Sequence, residues 1–252
     1  MILYEYPFNE SIRTFLRLEH LFKRMATLVF RDDAIDHHFA LATLFEVMDV
    51  GSRADIKSDL LKELERYKAQ FESYRGNPAI QEAVLDGVLQ RIDQAHHALN
   101  QVTGKFGHSL TANEWLMSIR SRISIPGGTC EFDLPAYYTW QHHSPEQRRA
   151  DLQGWLSGLA PLHQALDLVL GLLRDTGRPQ MVAAPGGQFQ HSMKEGRTYL
   201  LLRLRMDPSI GLIPEISGNR LMVIVRLMRQ DAEARLKLAT DTDTAFELTL
   251  CA

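Results

Sequence analysis

The chain has 252 residues, with 28 Lys and Arg against 31 Asp and Glu and a formal net charge of -3. That length fits one large domain or two small ones, and 45% hydrophobic with 23% charged residues excludes the low-hydrophobicity, high-charge composition of a disordered chain. The nearly balanced charge exerts no global pull on nucleic acid or anionic membrane, so any basic recognition surface is local.

Cys130 and Cys251 are the only cysteines. They lie far apart and outside CxxC or Cys/His ligand spacing, which argues against a disulfide framework or a zinc site and for a reducing compartment. The first residues, M-I-L-Y-E-Y-P-F-N-E, lack a basic segment followed by an apolar one. No later run approaches the ~18 to 20 apolar residues of a membrane span. A cytoplasmic protein is expected.

The first three quarters read as helix. Asn9 precedes a stripe of Ile12, Phe15, Leu16, Leu18, Leu21 and Phe22 flanked by Arg13, Arg17 and Lys23. Asp32 or Asp33 is placed to cap a second helix carrying Phe39, Leu41, Leu44, Phe45 and Met48 until Gly51. Ile56, Leu60, Leu64, Tyr67, Phe71 and Tyr74 then recur at steps of four and three, an amphipathic helix ended by Gly76-Asn77-Pro78. A matching stripe of Ile80, Val84, Val88, Ile92, Ala95 and Leu99 predicts a long antiparallel helical hairpin. Ser144-Pro145-Glu146-Gln147 has the form of a capping box with proline at the first helical position. Pro161, within the apolar run that follows, predicts a kink or a split.

Beyond Gly177-Arg178-Pro179 the period changes to two. Leu200, Leu202, Leu204 and Met206 alternate with Tyr199, Arg203 and Arg205, Arg197 sharing the latter parity. Leu221, Val223, Val225 and Leu227 alternate with Arg220, Met222, Ile224 and Arg226, and Phe246, Leu248 and Leu250 point inward from a terminal strand. Short strands around Met181 and Gln188, separated by Pro185-Gly186-Gly187, complete one antiparallel sheet. The expected fold is α+β: a mainly helical domain over 1–176, whose last helix covers the sheet, and a smaller antiparallel β-rich domain over 177–252.

The segment S-I-P-G-G-T-C-E-F-D-L-P-A-Y-Y-T-W, Ser124 to Trp140, concentrates glycines, a cysteine and aromatics, yet its chemistry is structural. Its glycines follow a helix instead of a strand, unlike a phosphate loop. Cys130 has no evident activating partner, and Asp133 is placed to cap a helix that begins at Pro135. The pairs His37-His38, His96-His97 and His142-His143 point about 100° apart on a helix, unsuited to chelating one ion, and solvated histidines are expected. No acid/base pair, triad or cofactor loop stands out. An enzyme is not expected, nor a cofactor or bound metal.

A basic bias does stand out. Between Arg197 and Arg229 six arginines (Arg197, Arg203, Arg205, Arg220, Arg226 and Arg229) meet two acids, Asp207 and Glu215. Interleaved Tyr199, Met222 and Ile224 favour a peptide that is both acidic and apolar, since arginine makes bidentate contacts to carboxylates and the apolar groups supply buried area.

The residues also resemble a known family, ZapD, the FtsZ-associated cell-division proteins of Gram-negative bacteria. The run I-P-G-G-x-C-x-F-D-L-P with Trp140 is the most specific match. Tyr4-Glu5-x-Pro7-x-Asn9-Glu10-x-x-Arg13-Thr14-x-Leu16-Arg17-x-Glu19, Leu60-Leu61-Lys62-Glu63-Leu64 and Pro214-x-Ile216-Ser217-Gly218 extend it along essentially the full chain. The resemblance implies a non-enzymatic homodimer with a helical and a β-rich domain, located at the mid-cell division site, that binds the C-terminal tail of FtsZ and crosslinks its filaments into bundles.

It further implies a basic tail pocket built from the start of the third helix and a late strand, with Arg53 and Lys57 at the helix positions and Arg226 on the strand. A second family arginine, four residues before Arg226, is Met222 here; Arg220, of the same parity, is expected to substitute. Arg13 and Arg17 are candidates for a second filament contact. Nucleic acid and membrane are not expected partners. The competing readings are a nucleic-acid binder using Tyr199 and the arginine face as a stacking and phosphate surface, and a cysteine-dependent enzyme centred on Cys130.

Overall fold

The computed structural model describes residues 1–53, 55–104, 106–194, 196–219 and 221–252, the side chain of Arg53 excepted. The chain forms two compact units: a helical unit of Thr14–Val169, and a sheet unit in which Met1–Arg13 joins Leu170–Ala252. The fold is α+β, as the change of period along the chain predicts.

In the helical unit, α1 (Glu10–Val29) opens where Asn9 Oδ1 accepts from the Ile12 amide at 2.8 Å. It buries Phe15, Leu18, Leu21, Phe22, Met25 and Val29. Asp33 Oδ1 accepts from the Ile35 amide at 2.8 Å and starts α2 (Ala34–Arg53). Leu41, Leu44, Phe45 and Met48 are buried on α2, but Phe39 is 53% exposed. At about 100° per residue Phe39 lies opposite Met48 and about 140° from Leu44, so it cannot share their face.

The expected hairpin is α3 (Ile56–Glu72) against α4 (Glu82–Gln101). Ile56, Leu60, Leu64 and Tyr67 are buried as predicted on α3. On α4 the stripe is shifted by one: Leu85 and Leu89 are buried, and Val84 is 61% exposed. Counting back from Ile92 at 3.6 residues per turn lands nearer 85 than 84, and each leucine buries one more methylene than valine, worth about 0.8 kcal/mol.

Short helices follow: α5 (His108–Thr111), α6 (Glu114–Arg122) and α7 (Pro135–Gln141). The turn between α6 and α7 needs Gly128, whose added Cβ would sit 2.6 Å from the Arg122 carbonyl oxygen. Asp133 does not cap α7. Leu134 is the N-cap, one residue nearer Pro135, and Asp133 instead pairs with Arg122 at 3.1 Å. Tyr137 and Trp140 are buried beside Trp115 and Trp155, with Trp140 Nε1 donating to Asp151 at 2.9 Å. Burial pushes the Tyr137 phenol pKa upward.

The capping box at Ser144 and Gln147 forms and starts α8 (Pro145–Ser157). Pro161 falls in the first turn of α9 (Ala160–Asp175), and α8 and α9 meet at a 70° bend. Among the described residues no single helix is long and apolar enough to cross a membrane.

His37 corrects the expectation of solvated histidines: it is fully buried. Its Nδ1 accepts from Arg148 Nε at 2.9 Å, and Arg148, itself 5% exposed, also donates to the carbonyls of Gln141, His143 and Asp32. Desolvation holds the His37 pKa below the ordinary value, with the Arg148 charge acting the same way.

The sheet unit holds two antiparallel sheets where one was expected. The first has the order β1 (Ile2–Pro7), β4 (Leu201–Met206), β8 (Ala245–Cys251), β2 (Gln180–Ala183). The second has β6 (Met222–Gln230) between β3 (Gln188–Ser192) and β5 (Ile213–Gly218), with β7 (Leu236–Leu238) also paired to β6. β2 and β3 therefore belong to different sheets. The corner between them is Pro185–Gly187, where Gly187 has φ +71° and its added Cβ would lie 2.4 Å from the Ala239 carbonyl oxygen; a β-carbon has no room there.

The inward residues of both sheets form one core: Leu202, Leu204, Phe246 and Leu248 from the first, Val223, Val225 and Leu227 from the second. The second sheet thus covers the face that was assigned to a helix. The end of α9 lies on the other face of the first sheet, where Cys251 Sγ donates to the Arg174 carbonyl and Arg174 pairs with Glu5 of β1.

Candidate functional site

The arginines do not form one face, because they are divided between two sheets and the strand register sets acids against them. Arg203 is the cross-strand partner of Glu5, whose carboxylate sits between Arg203 Nε at 3.1 Å and Arg174 at 2.8 Å, all three side chains mostly buried. Arg205 is paired by register with Glu247 at 3.6 Å. Arg229 Nη1 donates to both carboxylate oxygens of Asp241, at 3.0 and 2.9 Å. Glu5, Glu247 and Asp241 all come from outside the 197–229 window. Sequence reading missed Glu5 as a strand residue; the alternation of Leu3 and Glu5 with Tyr4 and Tyr6 before Pro7 is the signal that marks it.

Arg226 is different. It sits in the middle of β6 between its register partners Gln188 and Glu215. Among the described residues the acid paired with it is Glu215, 3.8 Å away, with the two side chains 53% and 57% exposed. Met222 and Ile224 continue the same face at period two, half-buried, while Val223, Val225 and Leu227 are fully buried behind them. The neighbouring outward positions Gln188, Gln190, Ser192 and Ser217 are exposed. The parity predicted for Met222, Ile224 and Arg226 is the one observed.

Leu221 departs from it, at 77% exposed. The β5–β6 hairpin turns there, with Asn219 Oδ1 accepting from the Leu221 and Met222 amides at 2.8 and 3.1 Å, so Leu221 precedes the strand. Arg220 lies outside the described residues.

The other predicted site residues belong to the helical unit or to α1. Arg53 ends α2, and its side chain is outside the described set. Lys57, on the first turn of α3, directs its ammonium to the carbonyls of Asn100 and Val102 at 2.9 and 2.6 Å. It closes the C-terminal end of α4, where a cation is favoured. On α1, Arg13 pairs with Glu10 at 3.1 Å, and Arg17, one turn on, is exposed.

Cys130 lies in the turn between α6 and α7, its carbonyl accepting from the Asp133 and Leu134 amides. Among the described residues no group of three His, Cys, Asp or Glu side chains is placed to hold a metal ion.

This sheet face thus sets a weakly paired Arg226 beside the half-buried Met222 and Ile224. A family model described as ZapD, cell division protein, matches residues 16–226. The cell division protein ZapD of Janthinobacterium sp. (strain Marseille) is 50% identical over 251 residues, covering 100% of this chain and 99% of that relative. The chain therefore belongs to the ZapD family, and its role lies in cell division. The family is named for that process and not for a reaction.

Proposed function

We propose that the protein binds the C-terminal tail of FtsZ and, as a homodimer with one tail site per subunit, crosslinks FtsZ filaments into bundles at the mid-cell division ring. The observation that carries this reading is the presentation of Arg226. Arg203 and Arg229 are in close contact with carboxylates and Arg205 faces a mostly buried Glu247 at 3.6 Å, whereas Arg226 meets an equally exposed Glu215 at 3.8 Å and is flanked by Met222 and Ile224. A carboxylate from a partner chain displaces only an exposed ion pair there, and the apolar neighbours add buried area.

Arg53 and Arg220 are proposed as further basic contacts, and Arg13 and Arg17 as a second contact with the filament. Lys57 takes a lesser part, since two of its three ammonium donors already serve α4. A weak site suffices: a polymer carries many tails, and bivalent engagement exceeds single-site affinity by roughly 10²- to 10⁴-fold. The nucleic-acid reading required the arginines to share one face with Tyr199, and they are divided between two sheets.

The test is cosedimentation with assembled FtsZ, with and without its terminal tail, together with the sedimentation mass of the protein alone. The expected result is a dimer that pellets and bundles only tailed polymers, and an Arg226→Glu variant that stays dimeric and folded but no longer pellets. A strictly monomeric protein, or undiminished bundling by Arg226→Glu, overturns the reading.

A further inference from the structure

The two sheets close on a leucine- and valine-filled core along most of their length, but at one end the inward positions change character. There β3 turns Phe189 and His191 toward Val182 of β2 and toward Leu248 and Leu250 of β8, leaving a cavity of about 480 Å³. That volume lies within the range of small-molecule sites, about 300 to 1,000 Å³. The floor is aliphatic. One wall is aromatic, with the Phe189 and His191 rings nearly parallel, 7° apart in plane at 6.3 Å between centroids, and Tyr199 completes the lining.

The charges along the described lining are of one sign. Arg178, Lys194 and Arg197 all line the cavity, and no acidic residue is among its described lining residues. Elsewhere in this unit arginines are met by carboxylates, as Arg203 is by Glu5 and Arg229 by Asp241. Among the described residues no carboxylate forms an ion pair with Arg178, Lys194 or Arg197. Arg197 lies over the Tyr199 ring, 5.3 Å from its centroid, which holds the guanidinium at the cavity wall. Glu195 lies outside the described residues.

We propose that this cavity is a binding site for a small anion with a flat apolar body, its ring against Phe189, His191 and Tyr199 and its phosphate or carboxylate on Arg178, Lys194 and Arg197. Arg178, Lys194 and Arg197 are exposed along the lining of one apolar recess, and an anion there gains charge-assisted hydrogen bonds from cations that have no ion pair among the described residues. The aliphatic floor excludes a fully hydrated ion and selects a ligand that has a body as well as a charge. The site is separate in residues from Met222, Ile224 and Arg226, so it stands whether or not the FtsZ reading does.

The test is a titration of the full chain at low ionic strength, read by calorimetry and by amide shifts, with four probes. These are adenosine 5′-monophosphate and 1-naphthoate, which carry ring and charge, and adenosine and inorganic phosphate, which carry one of the two. At least one of the ring-bearing anions is expected to bind about tenfold or more tighter than both single-feature probes, and which one does so separates a phosphate from a carboxylate ligand. Arg178→Gln and Arg197→Gln are each expected to weaken it about tenfold, the worth of one charge-assisted hydrogen bond, with the unfolding midpoint unchanged. Arg226→Glu is expected to leave it unaltered. No binding of any probe up to about 5 mM, phosphate or adenosine binding as tightly as the ring-bearing anions, or affinity unchanged in the Arg178→Gln/Arg197→Gln double variant overturns the proposal.

Discussion

Glu215 competes with any acidic ligand for Arg226, and its removal is a quantitative test of the proposed tail site. The pair is separated by 3.8 Å with both side chains more than half exposed. Two unit charges at that distance in water attract by about 1 kcal/mol, and exposed pairs contribute about 0 to 1 kcal/mol after side-chain ordering and screening. Glu215→Gln therefore releases Arg226 at a gain of up to about 1 kcal/mol, or about fivefold in tail affinity. Loss of repulsion between Glu215 and a tail carboxylate acts in the same direction. The assay is fluorescence anisotropy of a labelled FtsZ tail peptide. The gain should be clear at about 0.1 M salt, where the screening length is about 10 Å, and should shrink at about 1 M, where it is about 3 Å. In an Arg226→Gln background the same substitution should lose the part of its effect that comes from freeing the arginine, so the double-mutant cycle isolates the pair. Unchanged or weaker binding by Glu215→Gln, or an equal gain without Arg226, refutes the reasoning.

The remaining tests concern the framework. His37 resists protonation in the folded state, whereas the unfolded chain takes up the proton near 6.5, so its stabilising contribution is full above about 6.5 and is lost as pH falls below it. Urea unfolding of the wild type should lose up to about 1.4 kcal/mol per pH unit in that range from this residue, and His37→Gln should flatten the profile by that share. His38, lowered by desolvation as well, adds to the same window. Gly187→Ala meets both a left-handed φ of +71° and a 2.4 Å approach to the Ala239 carbonyl oxygen; a loss of about 2 to 4 kcal/mol by chemical denaturation is expected, against a few tenths if the corner can relax. Glu5→Gln leaves Arg174 and Arg203 without their shared carboxylate, and should cost about 2 to 3 kcal/mol in the same assay, with Glu5→Asp recovering part of it.

Elements governed by local rules were legible in the residues. The capping box at Ser144 and Gln147, the split at Pro161, the buried stripe of Ile56, Leu60, Leu64 and Tyr67, and the parity of β6 from Met222 to Leu227 all follow from caps, periods and proline geometry that act within one or two turns of chain. Where two local readings compete, as for Val84 and Leu85, the pattern alone leaves the stripe one residue out.

What only the tertiary structure decided is which residues from distant parts of the chain become neighbours. Glu5 meets Arg203 across 198 positions, Arg148 meets His37 across 111, and β2 parts from β3 at Pro185–Gly187 to enter a different sheet. An arginine count within one window reads as a basic face because sequence shows charges without their partners. Strand pairing and helix packing supply those partners, and the Coulomb energy of a group depends on the few ångströms around it and not on its place in the chain.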